Sequence, residues 1–125
     1  MGEKDGFSSV KVGRRAEDLA LSYLIGRGYR LVDRNWRYHH LELDLIMFSN
    51  KGLHIVEVRS LRAPVLVMPY ETVDVHKRRR IVRAASSYVN RRRIGCEVFF
   101  DIVSIVFERD SYTIDYIEQA FLPFR

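Results

Sequence analysis

The run Glu97–Phe107 (EVFFDIVSIVF) is almost unbroken in apolar, β-favouring residues. A strand of that kind is stable only when both of its faces are covered. The chain must therefore put helices on the two sides of a sheet, and two segments can do so. Ala16, Leu19, Ala20, Tyr23 and Leu24 recur at three- and four-residue steps, which predicts a helix from about Gly13 to Gly26, with Gly26 and Gly28 as stop signals. Ile81, Ala84, Ala85 and Tyr88 share a face in a second helix, from Val73 to about Asn90.

The other strands fall between and after these helices. Tyr29–Trp36 reads as a short strand. Leu41, Leu43, Leu45 and Met47 alternate with Glu42, Asp44, Ile46 and Phe48, a period of two. Asn50-Lys51-Gly52 is turn-like and opens a hairpin into Leu53–Arg59. Residues 61–72, with Pro64 and Pro69, read as a loop. After Glu97–Phe107, a turn at Arg109-Asp110 leads to an edge strand, Tyr112–Ile117. The order is α-β-β-β-α-β-β, an α/β fold with a mixed sheet flanked by helices. A chain of 125 residues is one domain, here residues 13–125 behind a polar, flexible segment 1–12.

Composition removes several classes. The single cysteine, Cys96, excludes an internal disulfide and a cysteine-rich metal site and fits a reducing cytoplasm. No apolar run is long enough to span a membrane, and the first residues lack the apolar stretch of a signal peptide. The net charge of +5 is unevenly spread: Lys77, Arg78, Arg79, Arg80, Arg83, Arg91, Arg92 and Arg93 stand in a segment without one acid. That basic face suits a nucleic-acid backbone, bound through phosphates without base readout; its plainer reading is a solvated helix surface. His39-His40 reads as a polar loop, since neighbouring strand residues point to opposite faces. His54 and His76 stand alone, without zinc spacing.

The hairpin carries the chemistry. A two-residue loop pairs Ser49 with Gly52, and a four-residue loop pairs Phe48 with Leu53. Both registers place Asp44 directly opposite Glu57, where side chains stand roughly 5 Å apart at Cβ. Two carboxylates so close repel, and a shared proton, an arginine or a metal would relieve them. Such an oxygen donor set suits Mg²⁺ or Mn²⁺. The bland alternative is a salt link from Glu57 to Arg59 or Lys77. The spacing Asp44…Glu57-Val58-Arg59 resembles the PD-(D/E)xK nuclease signature.

More than the hairpin matches a known pattern. Gly13, Ala16, Glu17, Ala20, Tyr23 and Leu24 fit the opening of the YraN-like family of small bacterial proteins. Gly28, Tyr29, Leu31, Arg34, Asn35 and Arg37 fit its next stretch. So do Leu41-Glu42-Leu43-Asp44-Leu45-Ile46, Val56-Glu57-Val58-Arg59, Lys77, Phe100-Asp101-Ile102-Val103, and Ile117, Ala120 and Phe121. The chain resembles that family over about residues 13–121. The resemblance implies a restriction-endonuclease-like fold similar to archaeal Holliday-junction resolvases, and action on DNA, including branched forms. It implies Glu17, Asp44 and Glu57 as acidic site residues, with the Val58 carbonyl as a further metal ligand. Two positions depart from the pattern: Arg59 stands where the motif has lysine, and Leu41 where it has glycine. Arginine is a poor proton-transfer group, although it can stabilise a charged phosphate. Lys77, leaning from the second helix towards the sheet, is the other cation for that role, or else a snorkelling side chain. Two functional readings emerge: a metal-dependent endonuclease using Glu17, Asp44, Glu57, Arg59 and Lys77, or a non-catalytic nucleic-acid-binding module on the same scaffold. A protein-interaction domain with a basic face is a third. The edge strand offers a surface for a homodimer.

Overall fold

The computed structural model describes residues 9–67 and 69–123. The elements run α1 (Ser9–Gly26), β1 (Arg30–Tyr38), β2 (Leu41–Ser49), β3 (Gly52–Arg62), a short 3₁₀ turn (Pro69–Thr72), α2 (Val75–Arg92), β4 (Val98–Phe107) and β5 (Tyr112–Phe121). The element order is the expected one, and most boundaries move outward. Helix α1 begins at Ser9, so residues 9–12 are helical where a flexible segment was expected; residues 1–8 lie outside the described residues. The last strand continues past Ile117 to Phe121.

One five-stranded sheet, in the order β1-β2-β3-β4-β5, forms the middle layer. β3 and β4 run parallel and the other neighbours antiparallel, because α2 carries the chain from the end of β3 back to the start of β4. β4 is buried on both faces, as its composition demands. Val103 and Ile105 pack under α1 with Ala16, Ala20, Leu24, Leu45, Met47 and Val56. On the other face Ile102 and Phe100 pack under α2 with Ile81, Ala84, Ala85, Tyr88, Ile46 and Ile55. Burying a large aliphatic side chain contributes about 1.5–3 kcal/mol, so these two clusters are the main stabilising force.

Two irregularities shape one end of the sheet. The hairpin register is as expected, with Ser49 opposite Gly52, but the β2–β3 ladder ends at Leu45 opposite Val56. Beyond it β2 stays paired with β1 as far as Leu41, and β3 stays paired with β4 as far as Arg62. The sheet forks there. The second irregularity is at the root of the fork, where Asn35 of β1 adopts a left-handed conformation, φ 54°. Asparagine tolerates that region better than most residues. The alternation of β2 is interrupted alongside it: Leu43 packs on the α2 side and Leu45 on the α1 side. This corrects the simple period-two reading, which put both leucines on one face.

A buried polar network ties the closed end of the sheet. Asp101 is fully buried, and its carboxylate accepts from the Tyr116 hydroxyl at 2.5 Å and the Gln119 N–H at 2.9 Å. His54 Nδ1 lies 2.7 Å from the same carboxylate, and His54 Nε2 lies 2.7 Å from Ser49 Oγ. This is the connectivity of a serine–histidine–aspartate relay, yet it has no room for a substrate. His54 is 1% exposed between the Tyr29 and Phe99 rings, and Ser49 Oγ accepts the Lys51 N–H within the hairpin turn. The network is a structural clamp joining β2, β3, β4 and β5.

Two glycines test the backbone. Gly52 has φ 148°, and a methyl group there would overlap the Glu97 carbonyl oxygen. Gly13, in α1, faces open space. We expect Gly52→Ala to destabilise the protein by about 2–3 kcal/mol and Gly13→Ala to stabilise it by about 1 kcal/mol, read from urea unfolding midpoints.

Candidate metal centre

The fork gathers acids from three elements. Asp44 sits at its root and reaches across the gap, where its Oδ2 accepts the Val58 N–H at 2.8 Å. That N–H faces the side from which β2 has withdrawn, so the carboxylate replaces a missing ladder partner. Glu42 lies two residues along β2, on the same side as Asp44. Glu17 comes from α1 and is held from behind. Its Oε1 accepts from Asn35 Nδ2 at 3.0 Å and stands 3.6 Å from Arg34 Nε. One carboxylate oxygen each from Glu17, Glu42 and Asp44 lies within 4.8 Å of the others, an arrangement able to hold a cation.

Glu57 takes a different position from the one its register suggests. Its side chain, 5% exposed, is 2.9 Å from Lys77 Nζ and 3.4 Å from Arg59 Nη1. Arg59 is itself fixed, donating from Nε to Thr72 Oγ1 at 3.0 Å. Both the metal reading and the salt-link reading of the hairpin thus have structural counterparts. Glu17 and Asp44 meet in an oxygen cluster, while Glu57 is ion-paired at its border. Glu57 still acts on the cluster electrostatically. Burial, then the negative charges of Glu57 and Glu17, push the Asp44 carboxyl well above the usual carboxylate range; the Val58 N–H and Lys77 only partly oppose this.

Glu42 was missed as a ligand, although a signal existed. Residues two apart on a strand share a face, so the pattern that singled out Asp44 also pointed at Glu42. Asn35 and Arg34 were quoted only as motif residues, and their service to Glu17 depends on the backbone turn at Asn35. Lys77 does lean towards the sheet as expected, its amide N–H accepted by the Asp74 cap of α2 at 2.9 Å.

The basic segment divides. Arg78 donates to the Val73 carbonyl at 2.8 Å and lies over the Phe121 ring, so it packs against the body instead of facing a ligand. Arg92 is 3.3 Å from Asp33 and 4.1 Å from the Tyr88 ring centre. The compensating acids absent from the segment itself are supplied by other elements. Arg79, Arg80, Arg83, Arg91 and Arg93 are exposed. A separate cavity of about 660 Å³ opens between Arg15, Arg62, Phe107 and Arg109; none of the four acids of the centre lines it.

Three carboxylates offer the hard oxygen donors that divalent cations take. Because the Asp44 value is raised on folding, stability falls as pH climbs from the ordinary carboxylate range through that raised value, and the loss persists above it. Asp44→Asn, which keeps the acceptor for Val58, should raise the thermal midpoint at neutral pH without metal. Mn²⁺ should raise the midpoint of the wild type and leave Asp44→Asn and Glu42→Gln nearly unmoved.

Known proteins extend these observations. Residues 16–105 match the model of the uncharacterised protein family UPF0102. A UPF0102 protein of Parabacteroides distasonis is 41% identical over 110 residues, covering 88% of this chain and 91% of its own. One of Persephonella marina is 40% identical over 116 residues, covering 92% and 96%. Among solved structures, SfsA of Pyrococcus furiosus in complex with Ca²⁺ aligns weakly, with a TM-score of 0.38 and 15% identity over 89% of this chain and 64% of that one. The chain belongs to the UPF0102 family, the YraN-like family that its motifs resemble.

Proposed function

We propose that this protein is a cytoplasmic, divalent-metal-dependent nuclease that binds DNA through its basic helix and hydrolyses phosphodiesters at the fork. The observation that carries this reading is the group of three carboxylates within 4.8 Å, bordered by the Lys77–Glu57–Arg59 ion pairs. Asp44, Glu42 and Glu17 would hold Mg²⁺ or Mn²⁺. Such an ion, when bound, lowers the pKa of a water and neutralises charge on a phosphate. Lys77 is the residue placed to meet the phosphate. Its ammonium lies at the border of the cluster on a side chain that is 30% exposed, so it can exchange part of its contact with Glu57 for a phosphate oxygen. Glu57 holds that ammonium in place. Exposed Arg80, Arg83, Arg91 and Arg93 add contacts that position the duplex without reading its sequence.

One observation favours the rival reading, a binding module without catalysis. Arg59 occupies the position of the motif lysine, and it is engaged by Glu57 and Thr72. If Lys77 does not take over, the site binds nucleic acid and does not cut.

Incubation of the purified chain with labelled linear and branched DNA, with Mn²⁺ or with chelator, separates the two. Metal-dependent products that disappear with Asp44→Ala support the enzyme. Salt-sensitive binding with no products and no effect of Asp44→Ala leaves the module. In either case, replacing Arg80 and Arg83 by alanine should reduce the slope of log affinity against log salt by about 1 for each phosphate that is no longer neutralised.

A further inference from the structure

The outer end of β1 has a composition the fold explains only in part: Trp36 and Tyr38 border the core under α2, and the aromatic sequence runs on beyond it. Trp36, Arg37, Tyr38, His39 and His40 succeed one another at the open arm of the fork. Their rings continue a row that begins on α2. The Arg92 guanidinium lies 4.1 Å from the centre of the Tyr88 ring, and Trp36 meets Tyr88 edge-on at 5.1 Å. Tyr38 lies 6.2 Å from Trp36, its plane within 12° of parallel. His39, in a left-handed conformation with φ 56°, turns its imidazole to 4.4 Å from Tyr38. The row starts in the core, where Tyr88 is fully buried, and emerges through half-buried Trp36 and Tyr38 to exposed His39.

A row of rings that served only the core would end in aliphatic cover. This one ends in solvent, and cations flank it. Arg37, 74% exposed at its side chain, comes from the strand between Trp36 and Tyr38 and projects to the other face, 3.7 Å from Glu42 of the acidic cluster. Arg92 closes the other end. Alternating π surfaces and cations are what single-stranded nucleic acid requires: bases stack on the rings while cations neutralise the backbone. A duplex hides its base faces and cannot use the rings. Trp36 is the register partner of Leu43, between Glu42 and Asp44, so the row and the acidic centre flank the same stretch of the β1–β2 arm, the Trp36 ring on the α2 side with Leu43.

We propose that Trp36, Tyr38 and His39 form a stacking ledge for unpaired nucleotides, and that the ledge delivers a single-stranded segment to the acidic centre. The inference rests on the nuclease reading and adds a substrate class, strands that are unpaired next to the site of action.

The chain has one tryptophan, so its emission reports on the ledge directly. The full-length protein, in chelator to prevent cleavage, would be titrated with a single-stranded oligonucleotide and with a duplex of equal length. Anisotropy of the labelled nucleic acid gives binding, and Trp36 emission gives stacking. We expect the single strand to quench Trp36 and the duplex to leave it nearly unchanged. Tyr38→Ala should weaken single-strand binding about tenfold with duplex binding retained. His39→Ala, at an exposed turn, should act in the same direction where Tyr38→Ala fails to fold. Single-strand binding with silent Trp36 emission, or equal losses on both substrates in the variants, would overturn the ledge and leave the nuclease reading standing. Absence of binding to any nucleic acid would overturn both.

Discussion

The hydrogen bond from the Val58 N–H to the Asp44 carboxylate is the interaction on which the site depends. A sheet that splits leaves backbone donors and acceptors without partners on both sides of the gap, and burying them unpaired is costly. Asp44 satisfies one of them with a side chain, and so lets β2 part from β3 immediately after Leu45. Its carboxylate is thereby drawn into a confined space beside Glu17, Glu42 and Glu57. The elevated proton affinity of Asp44 results from that confinement. The bond that spans the fork also concentrates the charge within it.

Much of this architecture was legible in the sequence because it is dictated by burial. A double-sided apolar strand, read at 97–107, called for cover by helices, and the helical periods read at 13–26 and from 73 to about 90 supplied it. The turn at Asn50-Lys51 set the register, and with it the approach of Asp44 to β3. The fork was not legible. At its root stands Asn35, whose positive φ reads in sequence only as one asparagine inside a strand. Without the fork, Asp44 and Glu57 would stand as a simple facing pair. With it, Asp44 turns to Val58 and Glu42, and Glu57 turns to Lys77. His54 was illegible for a related reason. It looked isolated because its partners, Ser49 and Asp101, come together only across the sheet.

The basic segment shows how charge counted along a chain differs from charge arranged in space. Its cations divide into three roles: Lys77 and Arg92 answer acids from the sheet, Arg78 packs, and Arg79, Arg80, Arg83, Arg91 and Arg93 are exposed. The outward group contributes most to the positive potential on that side of α2. Lys77 acts at short range, where its contact with buried Glu57 resists the screening that weakens surface pairs.

The fork also has a mechanical meaning. The arm made by β1 and β2 joins the rest of the sheet through the short ladder from Leu45 to Ser49, and the bond from Asn35 to Glu17 braces its root against α1. Glu42 rides on that arm, and Glu17 is fixed to the body. Their carboxylates meet where the arm leaves the body, so any change in the opening of the arm would change the spacing of the acidic cluster.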